Sequence, residues 1–205
     1  MLSSDSRGFS LIEMMMVVGI IGVLAVIAVP MSGNSIRYLK LSGDARELSN
    51  ATAVAKMRAA AKFTQSRLYI DKVGKTFYLQ TYTRSTSTEC PTLGEWCTEG
   101  GSTLLSNTVS FGYGPVTEAP PNTQTTIGQA APCQNTASPP VDVANTACII
   151  FNSRGIPVDN TGSPTGIDAV YVTDGSAVYG ITVAATGFIR TWQTNSSATP
   201  SWTLQ

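Results

Sequence analysis

The chain contains no histidine and few charged residues, and these two shortages exclude whole classes of function. Among 205 residues, histidine is absent and charged residues make up 13%, against about 25% in an average soluble protein. Without an imidazole, Ser-His-Asp catalysis, Cys-His catalysis and histidine-ligated zinc sites cannot form. We therefore expect a protein that is not an enzyme, with no catalytic residues, no metal site and no cofactor.

The zero net charge conceals an asymmetry along the chain. Residues 37–84 carry ten basic and three acidic side chains, a net charge of +7, whereas residues 85–205 carry two basic and eight acidic ones, a net charge of −6. We interpret this pattern as a helix with a solvated basic face, followed by a mildly acidic β domain, rather than as a dedicated ligand surface.

A long apolar run occupies the N-terminus. Residues 9–29 are interrupted only by Ser10 and Glu13, and as a helix these 21 residues span about 31 Å, one bilayer crossing. A secretory signal peptide, the alternative, has an apolar core of about 7–15 residues and ends in a small-residue cleavage site. The run here is longer and continues directly into a helical pattern, which favours a transmembrane helix.

Glu13 needs an explanation, because a carboxylate inside an apolar helix costs a few kcal/mol unless it is paired. It either lies near the membrane interface and reaches water, or it has a partner. The residues around Glu13 are more informative about its role than its charge alone. Residues 7–13 read Arg-Gly-Phe-Ser-Leu-Ile-Glu.

This run closely resembles the class III leader of type IV prepilins and type II secretion pseudopilins. The resemblance implies that a prepilin peptidase cuts between Gly8 and Phe9, removes residues 1–8 and leaves an N-methylated Phe9. It also implies that Glu13, then the fifth residue, pairs with the N-terminal ammonium of a neighbouring subunit during filament assembly. Pro30 lies where helices of this family carry a kinking proline.

Beyond Pro30 the apolar residues become periodic, which predicts that one helix extends from about Ser10 to about Thr64. We expect residues 9–30 to form a transmembrane and filament-core segment, and residues 31–64 to pack on a sheet. The apolar positions of the second segment are Ile36, Leu41, Ala45, Leu48, Ala51, Ala55, Ala59 and Phe63.

Residues 65–205 predict a β-rich domain, because short β-branched or aromatic runs alternate with turn residues. The fold class is therefore α+β, a long N-terminal helix against an antiparallel sheet, as in pilins. Two stretches, Ser85–Ser106 and Gly114–Thr146, read as long surface loops. The predicted strands are Arg67–Ile70 and Thr76–Tyr82 as a hairpin, then Thr108–Tyr113, Ala147–Asn152, Ala169–Thr173, Ala177–Val183 and Gly187–Gln193.

Three segments beyond the apolar run are similar to the GspH/FimT branch of minor pilins and pseudopilins: Met57–Ala60 at the helix end, Ile149–Gly155, and Ile181–Val183 with Gly187–Arg190. The similarity implies a structural subunit, present in few copies, of a filament assembled at the bacterial inner membrane. Its partners would be the prepilin peptidase, other pilins or pseudopilins and the inner-membrane assembly platform, with the C-terminal domain in the periplasm. A major pilin, a DNA-binding minor pilin for natural transformation and a membrane-anchored β domain without a filament role are the alternatives.

Arg190 is the candidate DNA contact. DNA-binding members of the resembled branch carry Gly-Arg-x-Arg near the C-terminus, whereas this chain has Gly187-Phe188-Ile189-Arg190 and so lacks one arginine. Losing one phosphate contact lowers affinity and removes about 0.9 from the log-log salt slope on duplex DNA. DNA binding is therefore disfavoured.

The four cysteines allow three disulfide connectivities. We favour Cys90 with Cys97 and Cys133 with Cys148, because each pair would close one of the two long loops. Four unpaired thiols would fit a cytoplasmic location, which the leader opposes. Zinc binding is a weaker alternative, since no C-x-x-C spacing occurs.

Two further features have ordinary structural explanations. Residues 159–163, with Asp168 beyond them, could offer oxygen ligands to calcium, but they lack the alternating acids and terminal glutamate of a calcium loop. We therefore expect a turn there. Trp96, Trp192 and Trp202 are candidates for exposed binding anchors, although Trp192, on an alternating strand, is expected in the core.

Overall fold

The structure is a computed structural model that describes residues 9–88 and 90–205, leaving aside the side chains of residues 27–34. It forms two compact units. Within the described residues, the first contains Phe9, Ser10 and the helix as far as Leu39, and the second, Lys40–Gln205, contains the rest of that helix and the strands. The leader residues 1–8 lie outside the described residues.

The single helix of the described chain, α1, runs from Leu11 to Ala61, within three residues of the expected bounds. It ends because Phe63 adopts a left-handed backbone conformation, φ 51°, and the Thr64 N–H donates to the Ala59 carbonyl at 3.1 Å. This arrangement satisfies carbonyls that would otherwise lack partners at the helix end. It also turns Phe63 outward, so its predicted place in the apolar stripe was wrong: 78% of its surface is exposed.

In the part of the chain that the structure describes, ten strands follow α1, and every paired neighbour is antiparallel. They form two five-stranded sheets, with strand orders β3-β2-β1-β5-β6 and β10-β9-β8-β7-β4. The expected α+β class is thereby confirmed. The strands are β1 Ser66–Asp71, β2 Thr76–Tyr82, β3 Trp96–Leu104, β4 Ser110–Phe111, β5 Thr146–Phe151, β6 Pro157–Val158, β7 Ile167–Thr173, β8 Ala177–Ala184, β9 Ile189–Asn195 and β10 Thr203–Leu204.

The expectation of a continuous loop over Ser85–Ser106 was wrong, because β3 lies within it and pairs with β2. β3 is an edge strand whose side chains are mostly exposed. An edge strand needs no apolar alternation, and Gly100 and Gly101 lower its apparent β-propensity further. β3 is therefore a strand because it pairs with β2, although its local sequence gives no strand signal. In Gly114–Thr146 the loop expectation holds until β5 begins, with one isolated bridge between Gln134 and Asp142.

The main core lies between the C-terminal half of α1 and both sheets. Three alanines and two leucines of the predicted stripe are completely buried there, and Ala51 packs against them. Alanine has no side chain beyond Cβ, so the sheets approach this face of the helix closely. The helix residues in the cluster are Leu41, Ala45, Leu48, Ala55 and Ala59, and the strand residues include Leu68, Ile70, Ile149, Phe151, Val170, Val172, Ile181 and Val183. Trp192 is buried as expected, with its Nε1 donating to Thr182 Oγ1 at 3.0 Å.

Candidate functional site

The N-terminal motif begins helix α1. Phe9 and Ser10 precede the helix, and the Met14 N–H donates to the Ser10 carbonyl at 3.1 Å, which closes the first turn. Glu13 lies in that turn and is exposed. The backbone N–H groups at a helix N-terminus lack helical partners and carry partial positive charge, so a carboxylate is stabilised there. Gly8 lies outside the described residues.

Within the first compact unit, every side chain from Phe9 to Val26 is exposed. Apart from Ser10, Glu13 and the two glycines, all are apolar, so this segment presents an apolar cylinder with one acidic side chain at its beginning. Exposed apolar surface of this extent marks a surface that another apolar phase or chain covers. The role expected for Pro30, a kink in the helix, stays a prediction, because the side chain of Pro30 lies outside the described residues.

Two basic side chains near the end of α1, both about half exposed, pair with an acid of the β domain. Arg58 Nε lies 3.4 Å from Glu99 Oε2, and Lys62 Nζ forms an ion pair with the other oxygen of the same carboxylate. Burial raises the pKa of Glu99, but hydrogen bonds from Lys62 and Thr81 and attraction to the two cations outweigh it, so the pKa lies below its ordinary value. Glu99 therefore connects β3 to the helix.

Lys56 lies beside the two turns that carry the GspH/FimT-like segments. Its Nζ donates to the Gly187 carbonyl at 2.9 Å. Gly155 and Gly187 meet beside it, since a Cβ on Gly187 would lie 2.1 Å from the Gly155 carbonyl oxygen. Both glycines have left-handed backbone conformations, φ 73° and 77°. The segments singled out in the sequence thus meet at one place, beside an apolar depression of about 340 Å³ lined by Met57 and Phe188, among others.

Arg190 is exposed on β9, where it stands opposite Thr182 on β8. Its guanidinium carbon lies 5.3 Å from the centre of the Phe188 ring, a distance at which a cation and an aromatic face attract each other. Arg190 can therefore reach a ligand, but the motif supplies one guanidinium rather than two.

Both cysteine pairs favoured from the sequence are disulfides in the structure, Cys90–Cys97 and Cys133–Cys148. The first connects the loop before β3 to the beginning of β3. The second connects the loop before β5 to β5 itself. Cys133 and Cys148 are buried beside Ile150 and Val158, where they form a small apolar cluster.

Residues 159–163 form a turn, as expected. The Asp159 carboxylate accepts hydrogen bonds from the Thr161 hydroxyl and from the N–H groups of Thr161 and Ser163, and these hydrogen bonds, the Thr161 hydroxyl foremost, hold the pKa of Asp159 below its ordinary value. Burial raises the pKa of Asp168, which accepts from Thr165 instead. Among the described residues no group of three or more acidic or cysteine side chains is arranged to hold a metal ion.

Sequence reasoning did not identify Arg67, which is almost completely buried on β1. Its Nε donates to Gln80 Oε1 at 2.8 Å, its Nη1 donates to the Gln134 carbonyl at 2.9 Å, and its guanidinium carbon lies 4.0 Å from the centre of the Trp96 ring. The β pattern that includes Arg67 was the available signal, because an arginine within a buried strand requires partners.

The comparisons with known proteins agree with the motif. Residues 3–29 match the family model described as the prokaryotic N-terminal methylation motif. The N-terminus thus carries the motif that the resemblance predicted, and the fold combines a long N-terminal helix with antiparallel sheets. Among the described residues, no helix combines the length and the hydropathy needed to cross a membrane.

Among solved structures, the chain is similar to the minor pseudopilin EpsH from the Type 2 Secretion System of Vibrio cholerae. The two share 10% identity with a TM-score of 0.36, over 81% of this chain and 96% of that one. This likeness is too distant to assign a role. No curated protein matches the chain.

Proposed function

We propose that the protein is a structural minor subunit of a type IV pilus or a type II secretion pseudopilus. A prepilin peptidase cleaves after Gly8, Phe9 becomes the methylated N-terminus, and the mature chain enters the filament or its tip. Its role is structural, not enzymatic. Its partners are other pilins or pseudopilins and the inner-membrane assembly platform.

One observation carries this proposal: a single carboxylate at the beginning of an exposed apolar helix, within the methylation motif. Residues 14–29 contain no charged side chain, so this surface is stable only in lipid or against other apolar helices. Cleavage after Gly8 would create an ammonium four residues before Glu13. In a stack of such helices, the carboxylate of one subunit has the ammonium of the next as its counter-charge.

The energetic argument favours a partner from another subunit. An unpaired carboxylate in an apolar environment costs several kcal/mol, and an ion pair offsets that cost. We propose that the apolar segment crosses the membrane once before assembly and that the second compact unit lies in the periplasm. The charge pair then matters during extraction from lipid into the filament, when water no longer solvates Glu13.

The test is incorporation of Glu13→Gln into filaments, because glutamine keeps the shape and removes the charge. We expect processing and membrane insertion to remain, with Phe9 N-methylated by mass spectrometry, and incorporation to be lost. Glu47→Gln is the matched control, because Glu47 is an exposed acid on the same helix. Normal incorporation of Glu13→Gln, or a mature protein that still begins at Met1, would contradict the proposal.

A further inference from the structure

The two disulfide-closed loops face each other across one cleft. Its volume is about 400 Å³, within the usual range for small-molecule sites, about 300–1,000 Å³. The Cys90–Cys97 loop contributes Gly94 and Trp96 to the lining, and the Cys133–Cys148 loop contributes residues 134–137 and Pro140. Strand residues and the turn at Asn160 complete it. The two loops, distant in sequence, therefore build one surface.

The aromatic wall of this cleft is held in place by a buried cation. The rings of Tyr82 and Trp96 meet edge to face, with centroids 5.5 Å apart at 72°. Arg67 stacks on Trp96 and donates to the Gln134 carbonyl, so it connects the first loop to the second. Burial lowers the pKa of Arg67 to about 10, and the guanidinium is still charged at neutral pH. A site whose walls are fixed before binding loses less entropy when a ligand arrives.

The rim is also ordered by its own hydrogen bonds. Asn135 Oδ1 accepts from the N–H groups of Ala137 and Val141, at 3.2 and 3.0 Å. Asn160 Nδ2 donates to the Pro132 carbonyl at 3.2 Å. These contacts hold the second loop in its conformation, and its ends are joined by the disulfide between Cys133 and Cys148.

The chemistry of the lining is mostly neutral and polar. Amides and hydroxyls predominate, and among the described residues no carboxylate lines the cleft and Arg84 is its one charged residue. One exposed cation is too little for a nucleic acid, whose binding requires several phosphate contacts. Aromatic rings beside amide and hydroxyl groups complement a ligand with an apolar C–H face and a hydroxylated edge. The neutral polar residues are Gln65, Gln134, Asn135, Thr136, Asn160 and Thr161.

We propose that this cleft is a saccharide-binding site, in which a sugar ring packs against Trp96 and Tyr82 and its hydroxyl groups bond to the amide and hydroxyl rim. Arg84 donates to a hydroxyl or carboxylate oxygen at the edge of the ligand. The site goes beyond the proposed structural role, because filament assembly through α1 does not require it. It gives the subunit a binding activity on its second compact unit.

The experiment measures binding of the oxidised full chain to immobilised oligosaccharides ending in glucose, galactose, N-acetylglucosamine, N-acetylgalactosamine or glucuronic acid. The chain is kept in a zwitterionic detergent, because detergents with sugar head groups would compete. Calorimetric titration with the best oligosaccharide then gives the affinity. We expect at least one of the five to bind, and Trp96→Ala to weaken it about tenfold or more.

Trp96→Ala also removes a packing partner of Arg67, so Arg84→Ala is the second variant, since it alters only an exposed side chain. We expect it to weaken binding several-fold at an unchanged melting temperature. Phe188→Ala, which removes an exposed aromatic side chain that is not part of this lining, is the matched control and should bind normally. Failure of all five oligosaccharides to bind, binding that survives both cleft variants, or equal loss in Phe188→Ala would each overturn the proposal.

Discussion

Replacing Gly187 by alanine should destabilise the contact between the two turns. Gly187 lies between β8 and β9 with φ 77°, and an added Cβ would lie 2.1 Å from the Gly155 carbonyl oxygen. A backbone carbonyl cannot rotate out of the way as a flexible side chain could. Lys56 would also have to move, since its Nζ would lie 3.3 Å from the new atom while it donates to the carbonyl of the same residue.

Two effects add in this variant. The left-handed conformation costs a non-glycine residue about 1–2 kcal/mol, and forcing an atom into a filled space costs roughly 1–3 kcal/mol. The two ranges sum to about 2–5 kcal/mol, and we expect a loss of about 3 kcal/mol within that range. For a chain of this size, that corresponds to a melting temperature lower by roughly 6–12 °C.

The assay is thermal unfolding of the oxidised full chain in detergent, followed by tryptophan fluorescence. Two glycines separate the effects. Gly175 has φ 88° but open space around its Cβ position, so Gly175→Ala should show only the conformational cost of about 1–2 kcal/mol. Gly166 has open space around its Cβ position and no left-handed conformation. The melting temperature of Gly166→Ala should therefore be unchanged or slightly higher. Equal melting temperatures for the Gly187 and Gly175 variants would refute the backbone contact as a cause of instability.

Three further predictions concern charge, covalent structure and DNA. Because the folded-state pKa of Glu99 lies below its ordinary value, its ion pairs stabilise the fold at neutral pH and lose that effect as the pH falls through that folded pKa. Glu99→Gln should cost about 1 kcal/mol at pH 7 and progressively less as the pH is lowered through that folded pKa, measured as melting temperatures. Non-reducing peptide mapping should find the two disulfides described above, and any cross-link between the pairs would contradict the loop structure. The chain should bind duplex DNA weakly at physiological salt in fluorescence anisotropy, with Arg190→Ala changing little; tight binding lost in that variant would favour a DNA-uptake role.

The sequence by itself determined the local features of the protein. The N-terminal motif is contiguous, so residues 7–13 identify it without any tertiary information. The length of α1 and the hairpin of β1 and β2 follow from periodicity of 3.6 and 2 residues, signals that depend on neighbours along the chain. The favoured disulfides depended on a similarly local argument, since each pair closes one turn-rich stretch.

Contacts between distant residues were decided only by the tertiary structure. β3 forms because β2 offers it a paired edge, and neither its glycines nor its exposed side chains signal a strand. The pairing of Glu99 with two helix cations, and the meeting of Gly155 with Gly187 beside Lys56, depend on how the sheets pack on α1. These contacts join residues tens of positions apart, so a pattern that repeats every two to four residues contains no information about them. The aromatic cleft between the two disulfide-closed loops has the same origin, since each loop alone shows only turn residues.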